Sequence, residues 1–139
     1  MPLDLPRIAA ALNAYPWTPG RLTADGRMAP TYCAIGALLR YAGVAQDHIA
    51  CAQTPSGVNL WSTYGPLLQS EYGIADKWTV RRVMAANDSA SSQAEAIDRV
   101  LGVLTGALDG DALLRSGTAP QADWNSGPDD GAGSLALLP

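Results

Sequence analysis

Apolar side chains recur every three or four residues along five stretches of this chain, and that interval is the period of an amphipathic helix. The stretches are residues 4–15, 32–43, 60–73, 77–86 and 92–108. The last is the most regular, since one helical face carries Ile97, Val100, Leu101, Leu104 and Leu108. The pattern predicts a mainly α fold, a small bundle of four to five helices.

Residues that favour helix ends flank several of these stretches. Asp4, Thr31 and Asp76 each precede a predicted helix, and short polar side chains there accept orphaned backbone N–H groups. Ser92 and Glu95 form the capping-box pair in front of the last helix. These signals place the helix starts independently of the apolar pattern.

Turn-forming residues break the chain between the helices. Asp25-Gly26 is a hairpin signal, so Arg21–Thr23 is expected to pair with Arg27–Ala29 in one short β-hairpin near residues 21–29. Gly65-Pro66 interrupts the third apolar stretch, and we expect a kink or a fresh helix start there. His48 follows the second apolar stretch and lies in a segment that reads as a loop.

The chain ends in a segment of different composition. Residues 109–139 are rich in Gly, Pro and Asp and show no sustained period. Such a composition is typical of a flexible tail. The sequence therefore predicts one helical domain over residues 1–108 and an acidic tail over 109–139.

Charge follows the same division. The chain has 139 residues and a formal net charge of −4, and the tail accounts for all of it, because acidic and basic residues balance up to Leu108. The absence of a basic stripe argues against nucleic acid as a partner. No apolar run is long enough to span a bilayer, and Met1–Leu5 does not resemble a signal peptide, so we expect a cytoplasmic protein. Lys77 is the only lysine and Phe is absent, which indicates a GC-rich bacterial or phage genome.

The clearest candidate for chemistry is Cys33, in the segment Tyr32-Cys33-Ala34-Ile35-Gly36-Ala37-Leu38. A cysteine in the first turn of a helix gains thiolate character from the helix dipole, as a nucleophile requires. His48 or the Asn87-Asp88 pair would have to serve as its base. The simpler interpretation is packing, since free cysteines are usually buried, and Asn87-Asp88 can fix a turn through local hydrogen bonds. We favour the packing and turn interpretations.

Other cofactor and ligand signals are missing. With one histidine and no Cys-x-x-Cys, the chain has no ligand set for a tetrahedral zinc ion. Phosphate-loop and dinucleotide motifs are also absent, so no cofactor is predicted. In the tail, Trp124 is a candidate docking anchor for a protein partner. The apolar end adds further candidate contacts, namely Leu135, Leu137 and Leu138, and loosely resembles the cargo-loading peptides of protein nanocompartments.

Several short motifs occur in a fixed order along the chain: Trp17-Thr18-x-Gly20, Asp25-Gly26-Arg27, the Tyr32–Leu38 segment and Asn87-Asp88. This order resembles a family of small uncharacterised proteins of actinobacteria and their phages, over residues 5–105. The resemblance implies a helical domain and a high-GC origin, and it implies no activity. The positions that it marks are Trp17, Gly20, Tyr32, Cys33, Gly36, Asn87 and Asp88.

Two hypotheses about function follow. The leading one is a small non-enzymatic interaction protein, encoded by a bacterium or a phage, that binds a protein partner through its tail or an exposed face. The alternative is a cysteine-dependent hydrolase or transferase with Cys33 as nucleophile and His48, Asn87 or Asp88 in support. The sequence leaves the oligomeric state open.

Overall fold

The computed structural model describes residues 2–52 and 60–116. Within that part of the chain it contains helices and one two-stranded hairpin, which confirms the prediction of a mainly α fold. The elements are α1 (Leu5–Asn13), β1 (Thr23–Ala24), β2 (Thr31–Tyr32), α2 (Ala34–Tyr41), α3 (Gln46–Ala52), α4 (Leu60–Tyr72), α5 (Lys77–Asp88), α6 (Gln93–Thr105) and α7 (Gly110–Arg115). The tail residues Trp124, Leu135, Leu137 and Leu138 lie outside the described residues.

Three helix starts are capped as the sequence predicts. Asp4 accepts the N–H of Arg7, and Asp76 accepts the N–H of Thr79. Ser92 accepts the N–H of Glu95 at 3.2 Å.

The return bond of the capping box goes to Ser91 rather than to Ser92. Glu95 accepts the N–H of Ser91 at 2.7 Å, and this bond is the largest cause of the lowered pKa of the Glu95 carboxyl. The box therefore still satisfies two N–H groups at the start of α6, with its second bond shifted by one residue.

The remaining cap prediction, Thr31 in front of α2, is wrong. Thr31 lies in strand β2 and Cys33 is the N-cap residue of α2, without a side-chain cap bond of its own. Asn87 of α5 supplies the missing acceptor, since its Oδ1 accepts the N–H of Ala34 at 3.1 Å. A distant side chain caps α2, and no local sequence signal could show this.

The hairpin is present, but its second strand is not at Arg27–Ala29. Thr23 pairs with Tyr32 and Ala24 pairs with Thr31 in antiparallel register, so the connection is longer than a two-residue turn. Gly26 packs against the carbonyl of Ala29 so closely that a Cβ would overlap it. The threonine hydroxyls donate to backbone carbonyls across the pair and hold this register.

Helix α4 runs through Gly65-Pro66 without a fresh start. The Trp61 ring lies against Gly65, where a Cβ would be 2.8 Å from the ring. Because packing of this kind can outweigh the hydrogen bond that a proline removes, the chain stays helical on both sides of Pro66.

Two helices lie where the sequence predicted none. Helix α3 occupies the stretch expected to be a loop, and α7 lies inside the predicted tail. Asp109 caps α7 by accepting the N–H groups of Asp111 and Ala112, and α7 packs on α5. The helical body thus continues past Leu108 to Ser116. The sequence did not predict α3 and α7, because helices of seven and six residues are too short to display a helical period.

The core lies around α2, which contacts α1, α3, α4, α5 and α6. Its fully buried side chains include Ile35, Leu38 and Leu39. Helix α5 packs mainly on α6 and α7. None of the helices in residues 2–52 and 60–116 combines the length and the apolar character needed to cross a bilayer. The architecture brings the start of α2 and the end of α5 together beside the loop that follows α1.

Candidate functional site

Seven residues from three of the four sequence motifs meet at one place in the fold, whereas the Asp25-Gly26-Arg27 motif lies in the β1–β2 connection. We call Trp17, Gly20, Tyr32, Cys33, Gly36, Asn87 and Asp88 the motif cluster. They come from three elements: the loop after α1, the β2–α2 junction and the last turn of α5. Residues far apart in sequence are thus joined at a single junction.

Asn87 is the centre of the motif cluster. It is 1% exposed, and its Oδ1 accepts both the Trp17 indole N–H at 2.8 Å and the Ala34 N–H at 3.1 Å. Its Nδ2 donates to the Thr18 carbonyl at 3.4 Å and to Asp88 Oδ1 at 3.2 Å. One buried amide therefore fixes the loop after α1 and caps α2.

Asp88 extends this connection to the next turn of the loop. Its Oδ1 accepts the N–H of Gly20 at 2.8 Å. Gly20 has φ of +81°, a left-handed conformation that glycine adopts readily and other residues avoid. The loop thus reaches Asp88 because a glycine turns it there, which gives the Trp17-Thr18-x-Gly20 motif a structural reason.

Tyr32 joins the same loop to the hairpin. Its N–H donates to the Pro16 carbonyl at 2.8 Å, and its carbonyl accepts the N–H of Thr18 at 3.0 Å. The phenol hydroxyl donates to Gln46 Oε1 on α3 at 2.5 Å. Gln46 also donates to the Thr23 hydroxyl at 3.2 Å. Gln46 belongs to this network although no sequence signal singled it out, since the segment around it was read as a loop.

Gly36 lies where α2 packs against the backbone of Leu22, the residue immediately before strand β1. A Cβ at this position would overlap the carbonyl oxygen of Leu22. The same carbonyl accepts the N–H of Cys33 at 3.1 Å. Glycine is therefore required by close packing of a helix on a backbone segment, and the motif spacing from Cys33 to Gly36 follows from one turn of helix.

Cys33 is fully buried in the motif cluster. Burial raises the pKa of its thiol to about 12; the N–H groups of Gly36 and Ile35 partly oppose this, and the Asp88 charge adds to it. At that pKa only about one molecule in 10⁵ carries a thiolate at pH 7. The N–H groups at the helix start lower the thiol pKa much less than the loss of solvation raises it.

The space beside the sulfur is also small. The cavity bounded by Trp17, Cys33 and Asn87 has a volume of about 10 Å³. That is about the space one water molecule needs, and no substrate of a hydrolase or transferase would fit. Cys33 fills a core position here, which agrees with the packing interpretation.

The other proposed catalytic residues are placed differently from what the enzyme hypothesis needs. Asn87 and Asp88 lie in the same cluster as Cys33, but their polar atoms bond to the loop after α1 and to the N–H of Ala34. His48 lies on α3 and is exposed to solvent, whereas the Cys33 sulfur is enclosed in the core. The structure does not bring the imidazole and the thiol together as a nucleophile and its base.

A second polar contact was not anticipated from the sequence. The Arg7 guanidinium lies between the rings of Tyr41 and Tyr72, with its Cζ 5.4 and 5.5 Å from their centroids. It also pairs with Glu71 at 2.6 Å, and the Tyr72 hydroxyl donates to the Leu38 carbonyl at 2.6 Å. This stack links α1, α2 and α4, and its parts lie too far apart in sequence to be recognised as one unit.

Neither metal ligation nor comparison with known proteins assigns a further role to these residues. Across residues 2–52 and 60–116, no group of three or more His, Cys, Asp or Glu side chains is placed to hold a metal ion. Comparison of the chain with protein families, with curated proteins and with solved structures finds no match. The interpretation of the motif cluster therefore depends on its geometry.

Proposed function

We propose that this chain is a small non-enzymatic interaction protein whose helical body is a scaffold that presents its C-terminal segment to a protein partner. The observation that supports this most is the state of Cys33, enclosed in the core with a thiol pKa raised to about 12. Asn87 and Asp88, which could have supported catalysis, instead join the loop after α1 to α5 and to the start of α2. The contacts within the body stabilise its fold, and we assign partner contact to an exposed part of the chain.

The tail is the proposed contact segment. It carries Trp124 and the apolar residues Leu135, Leu137 and Leu138 within an otherwise polar and acidic stretch. Large aromatic and aliphatic side chains supply most of the binding energy in protein interfaces. Among the described residues, the most exposed large apolar side chain is Met28 in the hairpin loop, at 99%. We assign the tail as the contact segment and use Met28 as a control surface.

The resemblance to the actinobacterial and phage family supports a further part of the proposal. We infer that the protein acts in the cytoplasm of an actinobacterial or phage-infected cell. Three of the four motifs that carry the resemblance supply the residues of the motif cluster, and a family defined by a common scaffold would share such residues. A lysate of such a host is therefore the source in which to look for the partner.

Partner capture tests this proposal. The immobilised full-length chain is compared with a chain ending at Ser116, which keeps α7. A full-length variant with Trp124→Ala, Leu135→Asp and Leu138→Asp tests the apolar residues, and Met28→Asp is the matched surface control. We expect a specific protein to be retained by the full-length chain and the control, and lost from the other two.

The opposite pattern would contradict the assignment. Capture that survives both tail changes but is lost with Met28→Asp would move the contact to the hairpin loop. Turnover of an ester or thioester by the purified protein, lost on Cys33→Ala substitution, would contradict the non-enzymatic proposal itself. Circular dichroism of every variant shows whether the fold is intact.

A further inference from the structure

Helix α6 ends in a fixed turn. Its C-cap residue, Gly106, has φ of +84° and leads the chain out of the helix. Two residues later, the Leu108 N–H donates to the Gly102 carbonyl at 3.0 Å. The Leu108 side chain also lies against Gly102, where an added Cβ would be 3.2 Å from it. The chain is therefore held to α6 as far as Leu108, and a hinge for the residues that follow lies between Leu108 and Asp109.

The residues after this hinge, Asp109–Ser116, are held to the body by little burial. We call them the C-terminal strap. Gly110 is buried, Leu113 and Leu114 are half-buried, and the other residues of the strap are exposed. In α2, by contrast, six of eight residues are buried. Because local opening costs less where fewer buried contacts are broken, the strap is expected to open more easily than the core helices.

The strap covers the seam between α5 and α6. An added Cβ on Gly110 would lie 2.9 Å from the Arg82 side chain of α5 and 3.0 Å from Cγ1 of Val103 on α6. An ion pair fastens the strap, since the Arg82 Nε donates to Asp111 Oδ1 at 2.8 Å. The two side chains are 32% and 59% exposed, so solvent and salt weaken their attraction.

Local hydrogen bonds order the backbone of the strap. Asp109 accepts the N–H groups of Asp111 and Ala112. The Leu113 N–H donates to the Asp109 carbonyl at 3.3 Å, and the Ser116 N–H donates to the Ala112 carbonyl at 3.1 Å. These bonds all lie within the strap. A helix of six residues is unstable without packing, so the strap should leave α5 and lose its helix in one step.

We propose that the C-terminal strap opens as one unit while the rest of the body stays folded, which uncovers Val103 and frees the Arg82 guanidinium. Three observations support this: the fixed end of α6 at Leu108, the sparse burial of the strap, and the exposed ion pair that fastens it. Ionic strength shifts the balance between the closed and open forms. The inference is independent of the partner-binding proposal, because it concerns residues 109–116 alone.

Native-state amide hydrogen exchange, followed by NMR in the full-length chain, tests the opening. The reporters in the strap are the hydrogen-bonded amides of Leu113 and Ser116. The reference is the amide of buried Ala37, which donates to the Cys33 carbonyl at 2.8 Å. After correction for intrinsic rates, we expect the two strap amides to share one protection factor, at least about tenfold below that of Ala37. Low urea should leave their exchange unchanged, because opening the strap exposes little surface.

Variants on both sides of the ion pair test the fastening. Arg82→Gln and Asp111→Asn should each lower the protection of both strap amides by about 1.5- to 5-fold, as expected for an exposed ion pair, and leave Ala37 unchanged. Salt at about 1 M should act in the same direction on the unmodified protein, since it shortens the Debye length to about 3 Å. Asp98→Asn removes an exposed carboxylate of α6 and is the matched control, which should change none of these amides.

Two results would overturn the proposal. Strap amides that are protected as strongly as Ala37, with the same steep dependence on urea, would show that α7 unfolds only together with the body. Protection that falls stepwise from Leu113 to Ser116 and does not respond to Arg82→Gln would show the fraying of a helix end rather than the opening of one unit.

Discussion

Replacing Asn87 by alanine is the sharpest perturbation of the motif cluster. The substitution removes one oxygen that accepts two N–H groups, from the Trp17 indole and from Ala34. It also removes the donor to the Thr18 carbonyl. Asn87 is buried, so the partners that remain are partly shielded from water.

The expected loss of stability follows from those bonds. A buried N–H left without an acceptor costs roughly 1–3 kcal/mol, and loss of a helix N-cap costs about 1 kcal/mol. A water entering the enlarged cavity can restore one of these bonds, which sets the expected total at about 2–4 kcal/mol. Unfolding entropy of about 2.1 cal/mol/K per residue converts this, for a body of roughly 110 residues, to a fall in Tm of about 9–17 °C.

Urea unfolding followed by far-UV circular dichroism measures this loss directly. Asn13→Ala is the matched control, since Asn13 is exposed and its amide donates only to the Ala9 carbonyl at 2.8 Å. We expect the control to change the free energy of unfolding by less than about 0.5 kcal/mol. Equal effects of the two alanine substitutions would refute the claim that Asn87 is the centre of the junction.

A double-mutant cycle separates the Trp17 bond from the others. Trp17→Phe keeps an aromatic ring and removes the indole N–H. Because the hydrogen bond at 2.8 Å joins the two side chains, each substitution removes the same contact, and the two should be non-additive by about 0.5–3 kcal/mol. Strict additivity would show that Trp17 and Asn87 act independently.

Three further substitutions test other parts of the account. Gly36→Ala should destabilise the protein by roughly 1–3 kcal/mol, because its Cβ would overlap the Leu22 carbonyl. A Cβ on Gly102 of α6 would lie 3.2 Å from its nearest neighbour. Gly102→Ala should therefore be neutral or stabilising by up to about 1 kcal/mol in the same urea assay. The thiol of Cys33 has a folded-state pKa of about 12 against about 8.5 when unfolded, so the unfolded chain binds fewer protons above pH ~8.5. The stability that the buried, protonated thiol contributes is therefore fully present below pH ~8.5, and it falls by at most about 1.4 kcal/mol per pH unit up to pH ~12. The Cys33→Ala variant should lack this fall between pH 9 and 11. Equal slopes of the unfolding free energy against pH in the two proteins would contradict the buried thiol. Ser92→Ala should cost about 1 kcal/mol through loss of the α6 cap, and an unchanged midpoint of thermal unfolding would show that the cap is dispensable.

Helix starts and apolar stripes were readable from the sequence because they are local. Asp4, Asp76 and Ser92 act within three residues of themselves, and propensity and capping rules describe such contacts. Predicting a mainly α fold needed nothing more. Packing of Cys33 as a core residue also followed from the usual burial of free cysteine.

The features that were not predicted from the sequence depend on contacts between residues far apart in the chain. The cap of α2 comes from Asn87, and the second strand of the hairpin is placed by the bonds of Tyr32 to the loop after α1. Gln46 joins the cluster through α3, a helix of seven residues. Helix α7 ends the body later than predicted, since its stability comes from packing on α5 and from the Asp109 cap. The motifs showed which residues belong together without showing that they meet.

The reactivity of Cys33 in the native protein tests the central claim most directly. Alkylation is followed by mass spectrometry at pH 8 over increasing urea, with the exposed Cys51 as the internal reference. The account predicts that Cys51 reacts at once, whereas Cys33 reacts only in proportion to the unfolded population. Rapid alkylation of Cys33 without urea, at a rate near that of Cys51, would contradict it.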